Sequence, residues 1–260
     1  MIRKRIRRKR TKLRKRIEGL HLIPAVLTIA NLFFGFLAIK NVISEKFKIA
    51  ALMIIISWIL DILDGRIARI TKSASHFGIQ IDSLADAISF GIAPSLLIYY
   101  WALKNFYHIG WVFGFIYLMA GVLRLARFNI TAVPGEEKKY FIGLPIPAAA
   151  VSIAGFVLYN NKVVEDKLIL ILLTIYILFI SLLMISNLKY TSYEKLNFKI
   201  TKNFWIFLVL AMFFGVFYFY SQISVLLIIV PYIFYAPFLL LRKKMLTLIK
   251  KREREVLDAQ

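Results

Sequence analysis

Residues 61–86 read DILDGRIARITKSASHFGIQIDSLAD and hold four of the chain's 14 acidic residues, Asp61, Asp64, Asp82 and Asp86. Apolar sequence flanks the stretch, ALMIIISWIL before it and AISFGIAPSLLIYYWAL after it. A carboxylate beside hydrocarbon is costly, so acids in such positions mark functional sites. Asp61 and Asp64 are three residues apart and Asp82 and Asp86 four, so each pair lies on one face of its helix. The polar connection TKSASHF, residues 71–77, allows two helices to reverse and bring those faces together. Four oxygen ligands of one sign make sense around cations, and hard ions such as Mg²⁺ or Mn²⁺ suit an all-carboxylate shell.

The remaining composition sets the class. The 260 residues are 60% hydrophobic with mean hydropathy +0.72, and uncharged apolar runs of 18 or more residues read as transmembrane helices. The expected fold is all-α, a polytopic integral membrane helical bundle without a separate soluble domain. The net charge of +21 invites a nucleic-acid reading, but the charge is local: of 35 Lys and Arg, eleven lie in residues 3–16 and seven in residues 242–254. Juxtamembrane clusters of this kind fix topology and contact anionic lipid headgroups, and no aromatic-rich or motif-bearing soluble module accompanies them, so no nucleic-acid partner is expected. There is no cysteine, which excludes disulfides, thiolate nucleophiles and Cys-based metal sites.

In chain order, residues 1–19 form a basic arm, and a first span follows at 22–39, longer than a signal-peptide core and expected to be retained. Further spans are expected near residues 48–70, 78–103, 106–123, 141–159 and 168–188. Residues 204–241 carry no charge; as one helix they would be about 57 Å long, so they divide into two spans with Ser221 and Gln222 at the turn. About eight transmembrane helices result. Four segments follow: a cytoplasmic arm, 1–19; a core, 20–188; two additional helices with their preceding loop, 189–241; and a basic cytoplasmic tail, 242–260. With both termini inside, the inner segments carry 29 Lys and Arg and the outer ones six, which places the termini and the aspartates on the cytoplasmic side of the cytoplasmic membrane.

The residues alone suggest a chemistry. Gly65 and Ala68 leave room for a ligand against the second helix, and the Arg69 guanidinium suits phosphate oxygens. Cations, phosphate and a spare carboxylate point to phosphoryl transfer, with a base activating a hydroxyl. The interfacial position points to a lipid as one substrate. Intramembrane carboxylates also mark ion and proton pathways, so a cation or proton transporter is the alternative from another class.

Asp61-x-x-Asp64-Gly65-x-x-Ala68-Arg69, eight residues, then Gly78-x-x-x-Asp82-x-x-x-Asp86 resembles the complete signature of the CDP-alcohol phosphotransferases. The resemblance implies a six-helix core, to which the last two helices would be additions. It implies that Asp61, Asp64 and Asp82 bind metal, two Mg²⁺ or Mn²⁺ ions per site, and that Asp86 borders the second ion and is the catalytic base. Gly65, Ala68, Arg69, Ser75 and Gly78 occupy positions similar to those that bind the CDP-lipid. Pro24-Ala25 departs from the Pro-Asn usual at the first span, and Thr28 and Asn31 are placed to substitute for that nucleotide contact; from the residues alone, they are interhelical hydrogen-bonders.

FGIQIDSLADAISFGIAPSLL, RLARFN and FIGLPIPAAA resemble the membrane-type phosphatidylserine synthases within that family. This implies CDP-diacylglycerol as donor, L-serine as acceptor, release of CMP, and a homodimer. Serine brings a carboxylate, for which Arg124 and Arg127, with Asn129 assisting, are the expected clamp; residues alone equally allow snorkelling topology anchors. Acceptors with a phosphate, as in phosphatidylglycerophosphate or phosphatidylinositol phosphate synthesis, would want a denser basic pocket. Because the chain has no cysteine, single-cysteine variants report its orientation: Lys162→Cys is expected to react with an impermeant maleimide added outside intact cells, and Lys195→Cys only after lysis.

Overall fold

The protein is described by a computed structural model over residues 24–71, 75–105, 109–131, 140–160, 162–191 and 225–240, together with residues 242 and 245. Among these, seven helices follow in order: α1 Pro24–Ile43, α2 Phe47–Ile70, α3 His76–Trp101, α4 Gly110–Thr131, α5 Ile146–Tyr159, α6 Lys167–Ile185 and α7 Val225–Leu240. Two short strands, β1 Tyr140–Ile142 and β2 Lys189–Thr191, pair antiparallel with Phe141 opposite Tyr190. Helices α1, α3, α4 and α6 are long and apolar enough to cross a membrane, and the protein is a helical polytopic membrane protein. The basic arm, the expected seventh span with its Ser221–Gln222 turn, and nearly all of the basic tail lie outside the described residues.

Two expected boundaries are corrected. The fourth helix starts later than residue 106 and runs through RLARFN to Thr131, so Arg124, Arg127 and Asn129 stand in its last two turns. The fifth helix starts at Ile146 rather than at residue 141, because residues 140–142 are drawn into β1. The cause is Gly143, whose φ of 78° turns the chain in a conformation that glycine adopts without strain. Its amide donates to the Leu188 carbonyl (2.8 Å) and the Leu144 amide donates to the Leu183 carbonyl (3.0 Å). Pro145 then stands at the N-cap of the helix that starts at Ile146, with Pro147 in its first turn, where a missing N–H does no harm. At 14 residues, α5 is about 21 Å long, and most of it is buried between its neighbours.

Helix α3 is not uniform. Residues Ala87–Ile92 form a π turn in which the Ala93 amide donates to the Ile88 carbonyl. Pro94 is the reason: it has no N–H for the carbonyl four residues back, that of Phe90, and its ring crowds that carbonyl. The freed Phe90 oxygen accepts instead from the buried Tyr117 hydroxyl of α4 at 2.9 Å. The wide turn begins one residue after Asp86, and π turns of this kind often sit at functional sites.

Helix α4 packs along α6, and α2 along α5, with α3 crossing between them. In lipid, apolar burial does not drive helices together, so close packing through small residues must. Gly35 of α1 shows this: a Cβ there would meet the Ser89 hydroxyl and come within 2.8 Å of the Ser89 Cα on α3. Replacing Gly35 by Ala is expected to push α1 off the π turn, costing about 1–3 kcal/mol and lowering the thermal midpoint in detergent. Tyr117→Phe, which orphans the Phe90 carbonyl, is expected to cost a similar amount in the same measurement, about 1–3 kcal/mol.

Candidate active site

The acidic residues approach the same point from opposite chain directions. Asp61 and Asp64 stand in the last turns of α2, and Asp82 and Asp86 in the first half of α3. Ser75 sets where α3 begins: in an extended conformation, its side-chain oxygen accepts from the Gly78 amide at 3.0 Å, capping the helix. Ser75 and Gly78, expected to touch a CDP-lipid, are therefore in contact with each other at the helix entry.

A ligand oxygen from each of Asp61, Asp64 and Asp82 lies within 4.8 Å of the others. Asp86 is adjacent, within hydrogen-bonding reach of Asp61. Gathering carboxylates this closely in a low-dielectric setting is repulsive unless cations or protons offset the charge. Two buried acceptors, Asp82 Oδ1 and Asn31 Oδ1, have no hydrogen-bond partner among the described residues. Orphaned oxygens beside an all-oxygen cluster fit a hard divalent cation.

Helix α1 holds this cluster from one side. The Thr28 hydroxyl is 2.9 Å from Asp64 Oδ2 and 3.0 Å from the Pro24 carbonyl, and Asn31 Nδ2 donates to Asp86 Oδ1 at 3.4 Å. Thr28 and Asn31 thus bridge helices through the aspartates themselves. The backbone of Asn31 is pinned in turn, its carbonyl accepting from Ser57 and Ser89, each at 3.1 Å. A polar residue pair in the first span pointed to α1, but nothing in the sequence pattern distinguished Ser57 and Ser89 as its partners.

On α2, Gly65 faces open space among the described residues, since a Cβ there would meet none of their atoms within 4 Å. Glycine inside a helix costs about 1 kcal/mol relative to alanine, and protein packing supplies no reason for it here. Ala68 is half-buried one turn further on, and Arg69 lies on the same helix, its side chain outside the described residues.

The three residues expected at the acceptor diverge. Arg124 is 6% exposed, its charge within reach of Asp86 and Asp61. Its guanidinium carbon stands 5.7 Å from the Phe128 ring centre and 5.9 Å from that of Phe141, a cation–π setting, while its Nε has no hydrogen-bond partner among the described residues. Arg127 points elsewhere. It donates to the carbonyls of Ile142, Met184, Ile185 and Ser186 at 2.9–3.1 Å and to Asn187 Oδ1 at 3.3 Å. Cationic donors suit the exposed carbonyls at a helix C-terminus, so Arg127 ties the end of α6 to the β1 turn. Asn129 links α4 to α3, accepting from the Ser83 hydroxyl at 2.9 Å and donating to Gln80 at 3.2 Å. The two arginines share a spacing but not a role, because one faces the carboxylates and the other a helix end.

These features have relatives. The sequence profile of CDP-alcohol phosphatidyltransferase matches residues 21–237. A Helicobacter pylori protein named CDP-diacylglycerol--serine O-phosphatidyltransferase is 38% identical over 231 residues, covering 84% of this chain and 97% of its own. Proteins of the same name from Methanocaldococcus jannaschii and Bacillus subtilis are 39% and 36% identical over 172 and 175 residues. Each alignment covers 66% of this chain, with 74% and 92% of the respective relatives. The aspartate cluster at the meeting of α2 and α3 lies within the matched region, and the chain belongs to the CDP-alcohol phosphatidyltransferase family.

Proposed function

We propose that this enzyme transfers the phosphatidyl group of CDP-diacylglycerol to the hydroxyl of L-serine and releases CMP. The observation that carries the reading is the convergence of Asp61, Asp64 and Asp82, with Asp86 beside them, in a chain whose relatives bear the name of that reaction. The family is divalent-cation dependent. Asp61, Asp64 and Asp82 would hold a first Mg²⁺ or Mn²⁺ ion and Asp86 would border a second. When bound, these ions supply the positive charge that offsets the pyrophosphate and the departing CMP.

The chain's own groups divide the remaining work. The Asp86 carboxylate takes the proton of the serine hydroxyl as its oxygen bonds to the lipid-side phosphorus. The bond from that phosphorus to the CMP oxygen breaks, and CMP leaves with its electron pair. Asn31 Nδ2 holds Asp86 Oδ1, leaving the other carboxylate oxygen for the proton. Open space at Gly65 lets the CDP-lipid approach α2, flanked by Ala68, Arg69, Ser75 and Gly78. Thr28 acts through Asp64. The serine carboxylate falls to Arg124, because the donors of Arg127 already serve the end of α6. Asn129 keeps α4 in register with α3.

The same reading places residues 20–188 as the catalytic core, with residues 189–241 appended to it. It sets the site on the cytoplasmic side of the cytoplasmic membrane, where a soluble amino acid reaches it, with both termini inside. The inner excess of Lys and Arg supports that orientation. A homodimer follows from the family resemblance.

Purified protein with CDP-diacylglycerol and Mg²⁺ is expected to release CMP on addition of L-serine, and not with glycerol 3-phosphate or inositol phosphate. Release with a phosphate acceptor alone would overturn the serine assignment. Ion flux into liposomes without CMP release would return the aspartates to a transport role. Asp86→Asn is expected to lower kcat by about 10²–10⁴, and chelation of divalent ions to abolish turnover. Gly65→Ala separates ligand space from folding. It is expected to unfold at the same temperature or higher, by up to about 1 kcal/mol, yet to raise the KM for CDP-diacylglycerol at least tenfold.

A further inference from the structure

The strand pair β1–β2 is short, yet it is fixed from several directions. Arg127 Nη2 donates to the Ile142 carbonyl at 3.0 Å, the Gly143 amide to the Leu188 carbonyl at 2.8 Å, and the Tyr190 hydroxyl to the Ile233 carbonyl at 3.1 Å. Alternate residues of a strand face opposite ways. Tyr140 and Ile142 are 51% and 49% exposed, whereas Phe141 between them packs against the core, opposite the buried Tyr190. What Phe141 meets there is Arg124. Its ring centre is 5.9 Å from the guanidinium carbon, and that of Phe128 is 5.7 Å away.

Hydrogen bonds between α3 and α4 place Arg124 along the bundle. The Ser95 hydroxyl donates to the Gly114 carbonyl at 2.8 Å, Tyr117 to the Phe90 carbonyl at 2.9 Å, and Ser83 to Asn129 Oδ1 at 2.9 Å. The two helices are therefore antiparallel, and Arg124, between Tyr117 and Asn129, falls between Phe90 and Ser83, level with Asp86. It also follows Tyr117 by two helical turns and so shares the face that turns to α3. The ring centres of Phe128 and Phe141 are 6.4 Å apart, which makes a nearly equilateral triangle with the guanidinium carbon. Rings on opposite sides of the group would stand nearly twice as far apart. Both rings therefore cover one side of Arg124 and leave the other side to a ligand.

We propose that Phe141 and Phe128 are positioning residues, an aromatic corner that backs Arg124 and turns its N–H groups toward the acceptor, with the strand pair serving to seat Phe141. The inference rests on the acceptor role given to Arg124 above. An aromatic ring attracts the cation but takes no strong hydrogen bond from it, so the corner holds the group without occupying its donors. Those donors lie in one plane, and two of them grip a carboxylate only when that plane is held. Arg127 supplies the contrast. Its donors are spent on carbonyls, and through that of Ile142 it anchors the strand that carries Phe141 to Arg124.

The test uses three variants of β1 in the full chain. Phe141→Leu removes the ring but keeps an apolar side chain, Phe141→Tyr keeps the ring, and Tyr140→Leu alters the opposite, exposed face of the strand. Phe141→Leu is expected to raise the KM for L-serine about three- to tenfold, with kcat and the KM for CDP-diacylglycerol unchanged. Phe141→Tyr should keep the wild-type serine KM, and Tyr140→Leu should change neither KM. An unchanged serine KM in Phe141→Leu, a parallel rise in both KM values, or an equal rise in Phe141→Tyr or Tyr140→Leu would overturn the proposal. Phe128→Leu removes the second ring without touching the strands. It must show the same serine-selective rise, and it decides alone if Phe141→Leu does not fold. Wild-type CMP release with a phosphate acceptor and not with serine removes the serine reading alone; the KM of that acceptor in the same variants then decides the role of the corner. No CMP release with any acceptor overturns both.

Discussion

Everything at the aspartate end of this bundle answers to the mutual repulsion of carboxylates held close together. Ligand oxygens of Asp61, Asp64 and Asp82 crowd within 4.8 Å, and Asp86 abuts Asp61. Helices carrying such a set would separate unless other forces held them. Thr28 and Asn31 of α1 bond to Asp64 and Asp86, Asn129 bonds Ser83 and Gln80 of α3, and Gly35 lets α1 lie directly against Ser89. A divalent cation held by this cluster would offset that repulsion and so couple the architecture to the occupancy of the site.

The bundle divides its polar residues between binding and bracing. Arg124 and Arg127, three residues apart on α4, illustrate the division. One is buried beside acids and aromatic rings, and the other spends its donors on the carbonyls that terminate α6. Without Arg127, the end of α6 and the turn at Gly143 would expose unpaired carbonyls where water is scarce. On the proposed reading of Arg124 as the acceptor clamp, loss of either arginine impairs the enzyme for unrelated reasons, one at the carboxylate cluster and one at a helix end.

Much of this was legible in the sequence because the residues that form the cation cluster are periodic and chemically rare. Aspartates at three- and four-residue spacing among apolar runs predict both the helices and the shared face, and hydropathy locates most spans. What escaped depended on tertiary contacts with no local signature. Residues 141 and 142 are apolar and read as the start of a span, yet residues 140–142 pair with residues 189–191, a partner nearly 50 positions away. The π turn escaped because the hydrogen bond that meets the cost of Pro94 comes from Tyr117 on another helix. Spacing alone could not separate Arg124 from Arg127, since only the position of the α6 C-terminus does so.

The π turn in α3 has a consequence for how the two halves of that helix respond to change. One extra residue in a turn advances the helical phase by about 100°. The face that presents Asp82 and Asp86 is therefore not continuous with the face on which Leu97 and Trp101 are buried. Substitutions beyond Pro94 can repack the far half of the helix without re-aiming the aspartates. The half that carries the aspartates keeps one geometry while the half that carries Leu97 and Trp101 is packed independently of it.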